Sequence, residues 1–236
     1  LTGAAKAAIY AWRELLALAL RDPLRVAVPL DWPIWRAQSS DEHISHAQCV
    51  LYADAQTSQH GMGMFWERHA FAYVPFPATI VAPICFDINQ LEFCALMLAV
   101  FVWLRKRLWH TGTYNPHAAR GQRLHVFTDN TSCAAWVKQN VARSTTNMLL
   151  MHILRDLQMT YGLFVSSSWI AGKVNIEADA VSRQLRCPDG PALRHRIQTT
   201  CNDLSPPPAL FNAIARGCAI FAIMPSQNER TISTVL

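Results

Sequence analysis

The rhythm of apolar and polar positions changes several times along the chain. Residues 1–23 contain AAIYAWRELLALAL, a helical pattern that stops before Pro23. Pro29, Pro33 and the polar run RAQSSDEHISH mark 24–47 as a linker. From residue 48 strand and helix signals alternate. AQCVLYADA is a short apolar run that reaches Asp54. GMGMFWE and HAFAYVPF read as two further strands, joined tightly around Arg68. INQLEFCALMLAVFVWLRKRL, residues 88–108, is apolar on nearly every face, as a helix covered on most sides must be. RLHVFTDN is a fourth strand with Asp129 near its end, and TSCAAWVKQ a short helix with Thr131 as its expected cap. NMLLMHILRDLQMTYG is a helix that Gly162 should stop. LFVSSSWI is a fifth strand and NIEADAVSRQ the last helix.

The predicted order, β-β-β-α-β-α-α-β-α, describes an α/β domain over 48–185. Residues 1–47 precede it as a connecting segment. After Pro188 the signals weaken: SPPPAL breaks the chain, and LFNAIARGCAIFAIM is a helix pattern interrupted by Gly217. Residues 186–236 therefore read as a C-terminal extension toward a downstream domain. The chain does not begin with Met and carries no signal-peptide pattern, so it is expected to be a piece of a longer polypeptide.

Composition narrows the class. With 51% hydrophobic and only 16% charged residues, the chain can fill a core and is not a disordered polymer. Seven cysteines is an odd number and no two form a CxxC pair, while Cys49, Cys85, Cys94 and Cys133 lie in apolar runs. A reducing, intracellular setting, cytoplasm or nucleus, is expected rather than a disulfide framework. The longest uncharged apolar run, CALMLAVFVWL, is about half of what a bilayer span needs, so it predicts a buried helix and no membrane partner. A net charge of +5 is compatible with a polyanionic partner without requiring one.

Several chemistries are absent. Ser166, Ser167 and Ser168 have no nucleophile-elbow context. No glycine-rich phosphate loop is present. His43 and His46 have no further metal ligands at hand, and Trp32 and Trp35 flank a proline-rich turn as packing residues.

Three acids stand where burial is expected. Asp54 follows CVLYA, Asp129 follows LHVFT, and Glu92 lies one turn into the most apolar helix. An unpaired carboxylate in a protein interior costs several kcal/mol. Each acid alone reads as readily as a cap or a solvated strand end. Together they fit a different picture: strand ends side by side in a sheet, with a packed helix aiming its first turn at them. Such crowding raises carboxylate pKa values unless a cation neutralises it. Oxygen-only ligands suit Mg²⁺ or Mn²⁺, and two such ions about 4 Å apart form a clamp for phosphodiester hydrolysis. WIAGKVNIEADAVSR supplies a fourth acid. On a helix starting near Asn175, Glu177 and Asp179 point about 160° apart, so only one can face the cluster. Asp179, between Ala178 and Ala180, is the expected ligand, and Glu177 a solvated acid at the helix start.

In their order and spacing, LYADAQTSQHGMGMFW, INQLEFCALMLAV, HVFTDNTSCAAW and WIAGKVNIEADAVSR resemble the ribonuclease H domain of retroelement reverse transcriptases, of the gypsy-like and DIRS-like kind. The resemblance spans residues 50–183. It implies a ribonuclease H-like fold, a five-stranded mixed sheet with helices on both faces. It also implies two divalent ions, Mg²⁺ or Mn²⁺, and cleavage of the RNA strand of an RNA–DNA hybrid. The implied setting is a polyprotein shared with a reverse transcriptase polymerase domain. Position by position, the metal-binding and catalytic carboxylates would be Asp54, Glu92, Asp129 and Asp179, with Asn175 orienting the loop before the last one.

Two departures from the family pattern matter. Trp169 stands where the family usually has a histidine, and an indole cannot accept or relay a proton. This raises an alternative, a catalytically inactive ribonuclease H-like module that binds or tethers nucleic acid. The basic helix of bacterial-type cellular enzymes is also missing, since that connection is only NVARSTTN. A basic stretch occurs elsewhere. Residues 105–123 hold Arg105, Lys106, Arg107, Arg120 and Arg123 with no acid, a candidate nucleic-acid contact. For Arg105, Lys106 and Arg107 a solvated helix end that complements the macrodipole is the competing reading.

Overall fold

The computed structural model describes residues 47–56, 61–75, 87–110, 113–115, 117–142, 145–183 and 191–205. The expectations for the first helix, the linker with Trp32, Trp35, His43 and His46, Cys85, and the chain after 205 lie outside the described residues.

The predicted α/β class is the one observed, a mixed sheet flanked by helices, with six strands where five were expected. Strands β1 (Cys49–Gln56), β2 (Gly61–Trp66) and β3 (Ala70–Pro75) form an antiparallel meander. Helix α1 (Ile88–Leu108) follows, then a small antiparallel hairpin, β4 (Trp109–His110) and β5 (Thr113–Tyr114). Strand β6 (Arg123–Thr128) pairs parallel with β1. Helices α2 (Thr131–Gln139) and α3 (Thr145–Tyr161) lead to β7 (Phe164–Trp169), parallel to β6. Helix α4 (Ile176–Ser182) follows. The chain then adds α5 (Pro191–Thr200) and a two-residue strand β8 (Asn202–Asp203). The sheet order is β7-β6-β1-β2-β3-β8.

Local chemistry explains most of these boundaries. Arg68, at φ 57°, makes the tight β2–β3 turn that the sequence placed around it. Asp87 and Gln90 close a reciprocal capping box at the start of α1. The cap of α2 is Asn130 rather than Thr131: its Oδ1 accepts from the Cys133 amide at 3.1 Å, which leaves Thr131 as the first helical residue. Gly162, at φ 62°, stops α3 as expected.

The core explains why α1 is apolar all round. Alternate residues of β1, Leu51, Ala53 and Ala55, face α1, which α2 and α3 flank on the same side of the sheet. Leu96, Trp103 and Leu104 are buried among them. The opposite face carries a smaller core. Phe65 and Phe71 of the sheet meet Ala178 and Val181 of α4 and Ile197 of α5. Strand β8 pairs parallel with β3 and covers part of its outer edge. The sheet thus continues past residue 185, where the sequence pattern ended the domain. The signal was weak because β8 is only two residues long and α5 buries a single residue, Ile197.

Candidate metal centre

Each acid reaches its place by a separate route. Asp54 sits in the central strand opposite Gly63 of β2, with its carboxylate turned toward α4. It is only 2% exposed. Its Oδ2 lies 2.5 Å from the Ser182 hydroxyl, which also lies 2.8 Å from the Asp179 carbonyl. A hydroxyl has one proton, so it serves one acceptor at a time. Gly63 makes this contact possible. A Cβ there would stand 2.9 Å from both the Ala178 carbonyl oxygen and the Ser182 Cα, inside the backbone of α4.

Glu92 enters from α1, one turn past its cap, and is 5% exposed. The nearby Ala55 backbone amide favours its charged form. Its Oε2 is buried and has no hydrogen-bond partner among the described residues. Asp129 follows β6 and is half-buried. Asn130 ties this corner to α1, donating from Nδ2 to Asn89 Oδ1 at 2.9 Å. On the other side Gly172 leaves room for the Asp129 carboxylate, since a Cβ there would lie 3.0 Å from Oδ2.

Asp54, Glu92 and Asp129 each offer an oxygen within 4.8 Å of the others. Asp179 is not a member of this group. The guanidinium of Arg183 grips it, with Nε 2.9 and 3.0 Å from its two oxygens and Nη2 2.8 Å from Oδ1. Gln56 Nε2 donates to the same Oδ1 at 2.9 Å. Its charge still bears on the other three acids. Glu177, expected to be solvated, pairs instead with Arg196 of α5 at 2.5 Å. Asn175 donates to the Ala53 carbonyl at 2.9 Å and so pins the start of α4 to the residue before Asp54.

The electrostatics follow from this crowding. Burial, opposed in part by the Ser182 hydroxyl and reinforced by Asp129 and Asp179, pushes Asp54 up to about 7. Burial first, then Asp54 and Asp129, pushes Glu92 up to about 9. Burial also raises Asp129, against the pull of its own backbone amide. A carboxyl that stays protonated to pH 9, with one buried oxygen unpartnered, is a poor structural residue. It is a good ligand for a small divalent cation, which supplies the missing positive charge and accepts oxygen donors only. The donor set fits Mg²⁺ or Mn²⁺.

No protein-family model matches the chain, and no curated protein matches it. Among solved structures it is similar to LC11-RNase H1 in complex with RNA/DNA hybrid, at 13% identity and a TM-score of 0.42, covering 58% of this chain and 95% of that one. A second structure of LC11-RNase H1, isolated from compost by a metagenomic approach, gives 14% identity and a TM-score of 0.39, with 57% and 92% covered.

Sequence reasoning missed three partners of the centre: Ser182, Arg183 and Gln56. The signals were present. Arg183 follows Asp179 by four residues, the spacing of a helical ion pair. Gln56 follows Asp54 by two, which places both on one face of the strand. The predicted basic contacts do not line the centre. Arg105, Lys106 and Arg107 are 13 or more residues beyond Glu92, about 20 Å down the helix axis. Arg123 opens β6 while Asp129 follows its end, a similar separation of about 20 Å. Arg120 lies in the turn just before β6.

Proposed function

We propose that the protein is a divalent-metal-dependent endonuclease that hydrolyses the RNA strand of RNA–DNA hybrids, within a retroelement reverse transcriptase polyprotein. The observation that carries this reading is the convergence of Asp54, Glu92 and Asp129 from a strand, a helix and a strand end within 4.8 Å. The quoted sequence motifs support the hybrid substrate and the polyprotein setting.

In this reading Asp54, Glu92 and Asp129 would hold a first cation, and Asp179 would contribute to a second. Bound cations would activate the attacking water and stabilise the leaving oxygen of the phosphodiester. The chain's own residues do the positioning. Ser182 orients the Asp54 carboxylate, and Asn175 fixes α4 against β1. Trp169 holds the Asp129 corner, donating its indole N–H to the Asp129 carbonyl at 2.9 Å. It cannot act as the proton relay that a histidine there would offer.

The decisive assay is cleavage of a labelled RNA–DNA hybrid with Mg²⁺ or Mn²⁺, comparing the wild type with Asp129→Asn. Metal-dependent cutting by the wild type, reduced at least about 10³-fold by the substitution, is the expected result. Equal activity in both proteins, or none in the wild type with either metal, favours a second reading, an inactive module that binds or tethers nucleic acid. Two observations favour that alternative: the indole at position 169, and the occupation of Asp179 by Arg183 and Gln56.

A further inference from the structure

About 20 Å down α1 from Glu92 lies a second surface. Helix α1 finishes on Arg105, Lys106 and Arg107, all exposed, and the β4–β5 hairpin begins two residues later. Among the described residues neither Arg105 nor Lys106 pairs with a carboxylate. Arg107 leans back, with Nη2 3.1 Å from Gln122 Oε1 and its guanidinium 5.7 Å from the Trp103 ring centre. On the hairpin, Trp109 and Tyr114 sit opposite each other in register. Their ring centres are 5.2 Å apart, tilted by 45°. They remain 45% and 44% exposed.

The two features have separate bland explanations. Cations suit a helix C-terminus, and a cross-strand aromatic pair steadies a hairpin. Neither explains why Trp109 and Tyr114 stay 45% and 44% exposed beside Arg105 and Lys106, which pair with no acid among the described residues. Positive charge that tracks a phosphate backbone, next to aromatic faces open for stacking, is the composition of a single-strand binding site. A duplex could use the charge but not the rings, because its bases are already stacked.

We infer that the α1 C-terminus and the β4–β5 hairpin bind single-stranded nucleic acid continuing from a hybrid held at the carboxylates. Lys106 and Arg105 contact phosphates, and Trp109 with Tyr114 stacks on unpaired bases. The inference rests on the nucleic-acid substrate of the proposed function and adds to it a preferred form, a hybrid with a single-stranded extension. A separation of about 20 Å corresponds to roughly six base steps of about 3.4 Å, so the extension should begin near that distance from the cut.

The test uses the full chain carrying Asp129→Asn, so that probes survive, and measures fluorescence anisotropy with Ca²⁺ present. One probe is a blunt RNA–DNA hybrid of about 12 base pairs, and the other is the same hybrid with a single-stranded extension of about eight nucleotides. The extension should tighten binding about tenfold. The Trp109→Ala/Tyr114→Ala pair should lose that gain and leave blunt-hybrid affinity unchanged. Trp109→Phe/Tyr114→Phe, which keeps two stacking faces and the hairpin, should retain most of it. Lys106→Gln should lower the salt dependence of extended-probe binding by about 0.7 in log–log slope. No gain from the extension, or a gain that survives removal of both rings, overturns the inference, as does equal competition by a poly-glutamate peptide. Because binding is read without cleavage, a chain that never cuts yet gains affinity from the extension leaves this surface standing while removing the nuclease reading.

Discussion

The two ends of the central sheet carry opposite chemistry. At one end three acids crowd within 4.8 Å, two of them nearly fully buried, their positions set by strand register, a helix cap and close backbone contact. At the other, cations and aromatic rings stand in water on a helix end and a two-residue-per-strand hairpin. The acidic end is costly to assemble, since every carboxylate added raises the pKa of its neighbours. The basic end is cheap, since exposed cations meet little penalty. The difference teaches where sensitivity to mutation should lie: steep and all-or-none at the buried end, graded and salt-dependent at the exposed end.

The comparison breaks most sharply at Gly63. A methyl group there collides with backbone atoms of α4 rather than with a flexible side chain. Gly63→Ala should destabilise the fold by about 2–3 kcal/mol and lower Tm by roughly 5–10 °C. It should also weaken cation binding, because α4 carries Ser182 and Asp179. A thermal melt beside a cation titration reads both. An unchanged Tm would mean that α4 is not seated against β2 as described.

Next in size is the grip of Arg183 on Asp179. If the guanidinium holds this acid out of the three-member group, Arg183→Gln should release it. Second-cation affinity should then rise about tenfold in a Mn²⁺ titration followed by electron paramagnetic resonance, with the first site little changed. A loss of second-site binding would show instead that Arg183 holds Asp179 in its working position.

The pH dependence of stability sharpens the contrast further. Asp54 and Glu92 have native pKa values raised to about 7 and about 9, above their unfolded values. The native state therefore holds protons that the unfolded chain has released. Their contribution is fully present below the ordinary carboxylate range and disappears as pH rises through 7 and then 9. In chelator, Tm should fall by about 10 °C or more between pH 5 and pH 9, and Mg²⁺ should reverse the fall. Glu92→Gln should flatten the profile. A Tm that rises over this window without metal contradicts the assignment.

The smallest expected effect is at Trp169, 52% exposed and held by one hydrogen bond to the Asp129 carbonyl. Trp169→His should raise the hydrolysis rate a few-fold, about 3–10 times, if a proton relay is what the site lacks. An unchanged or lower rate would identify the indole as a strut that the centre needs.

Much of this was legible in the chain before any coordinates. The five longer strands were visible in runs such as AQCVLYADA and RLHVFTDN, and α1 in an apolar pattern with no polar face. Asp54, Glu92 and Asp129 stood out because charge at buried positions is expensive whatever the fold. What escaped was what neighbouring side chains do to one another. Asp179 and Glu177 were separated by helical angle and by the small neighbours Ala178 and Ala180, which say nothing of Arg183 and Arg196 pairing with them. Segment 191–205 escaped because its contribution is a short edge strand and one buried isoleucine, too little to shape a sequence pattern. The basic run was visible, but its distance from the acids depends on the length and direction of α1, which only the packed sheet defines.

The central claim is that the three crowded acids are a cation site, and proton release tests it most directly. Mn²⁺ is titrated calorimetrically into the wild type and into Glu92→Gln at pH 8, in buffers of different ionisation heat. Because Glu92 holds its proton up to about pH 9, the wild type should bind saturably and expel about one proton with the first ion. Glu92→Gln should bind more weakly and expel markedly fewer. Saturable binding with the same proton count in both proteins, or no saturable binding by the wild type, contradicts the account.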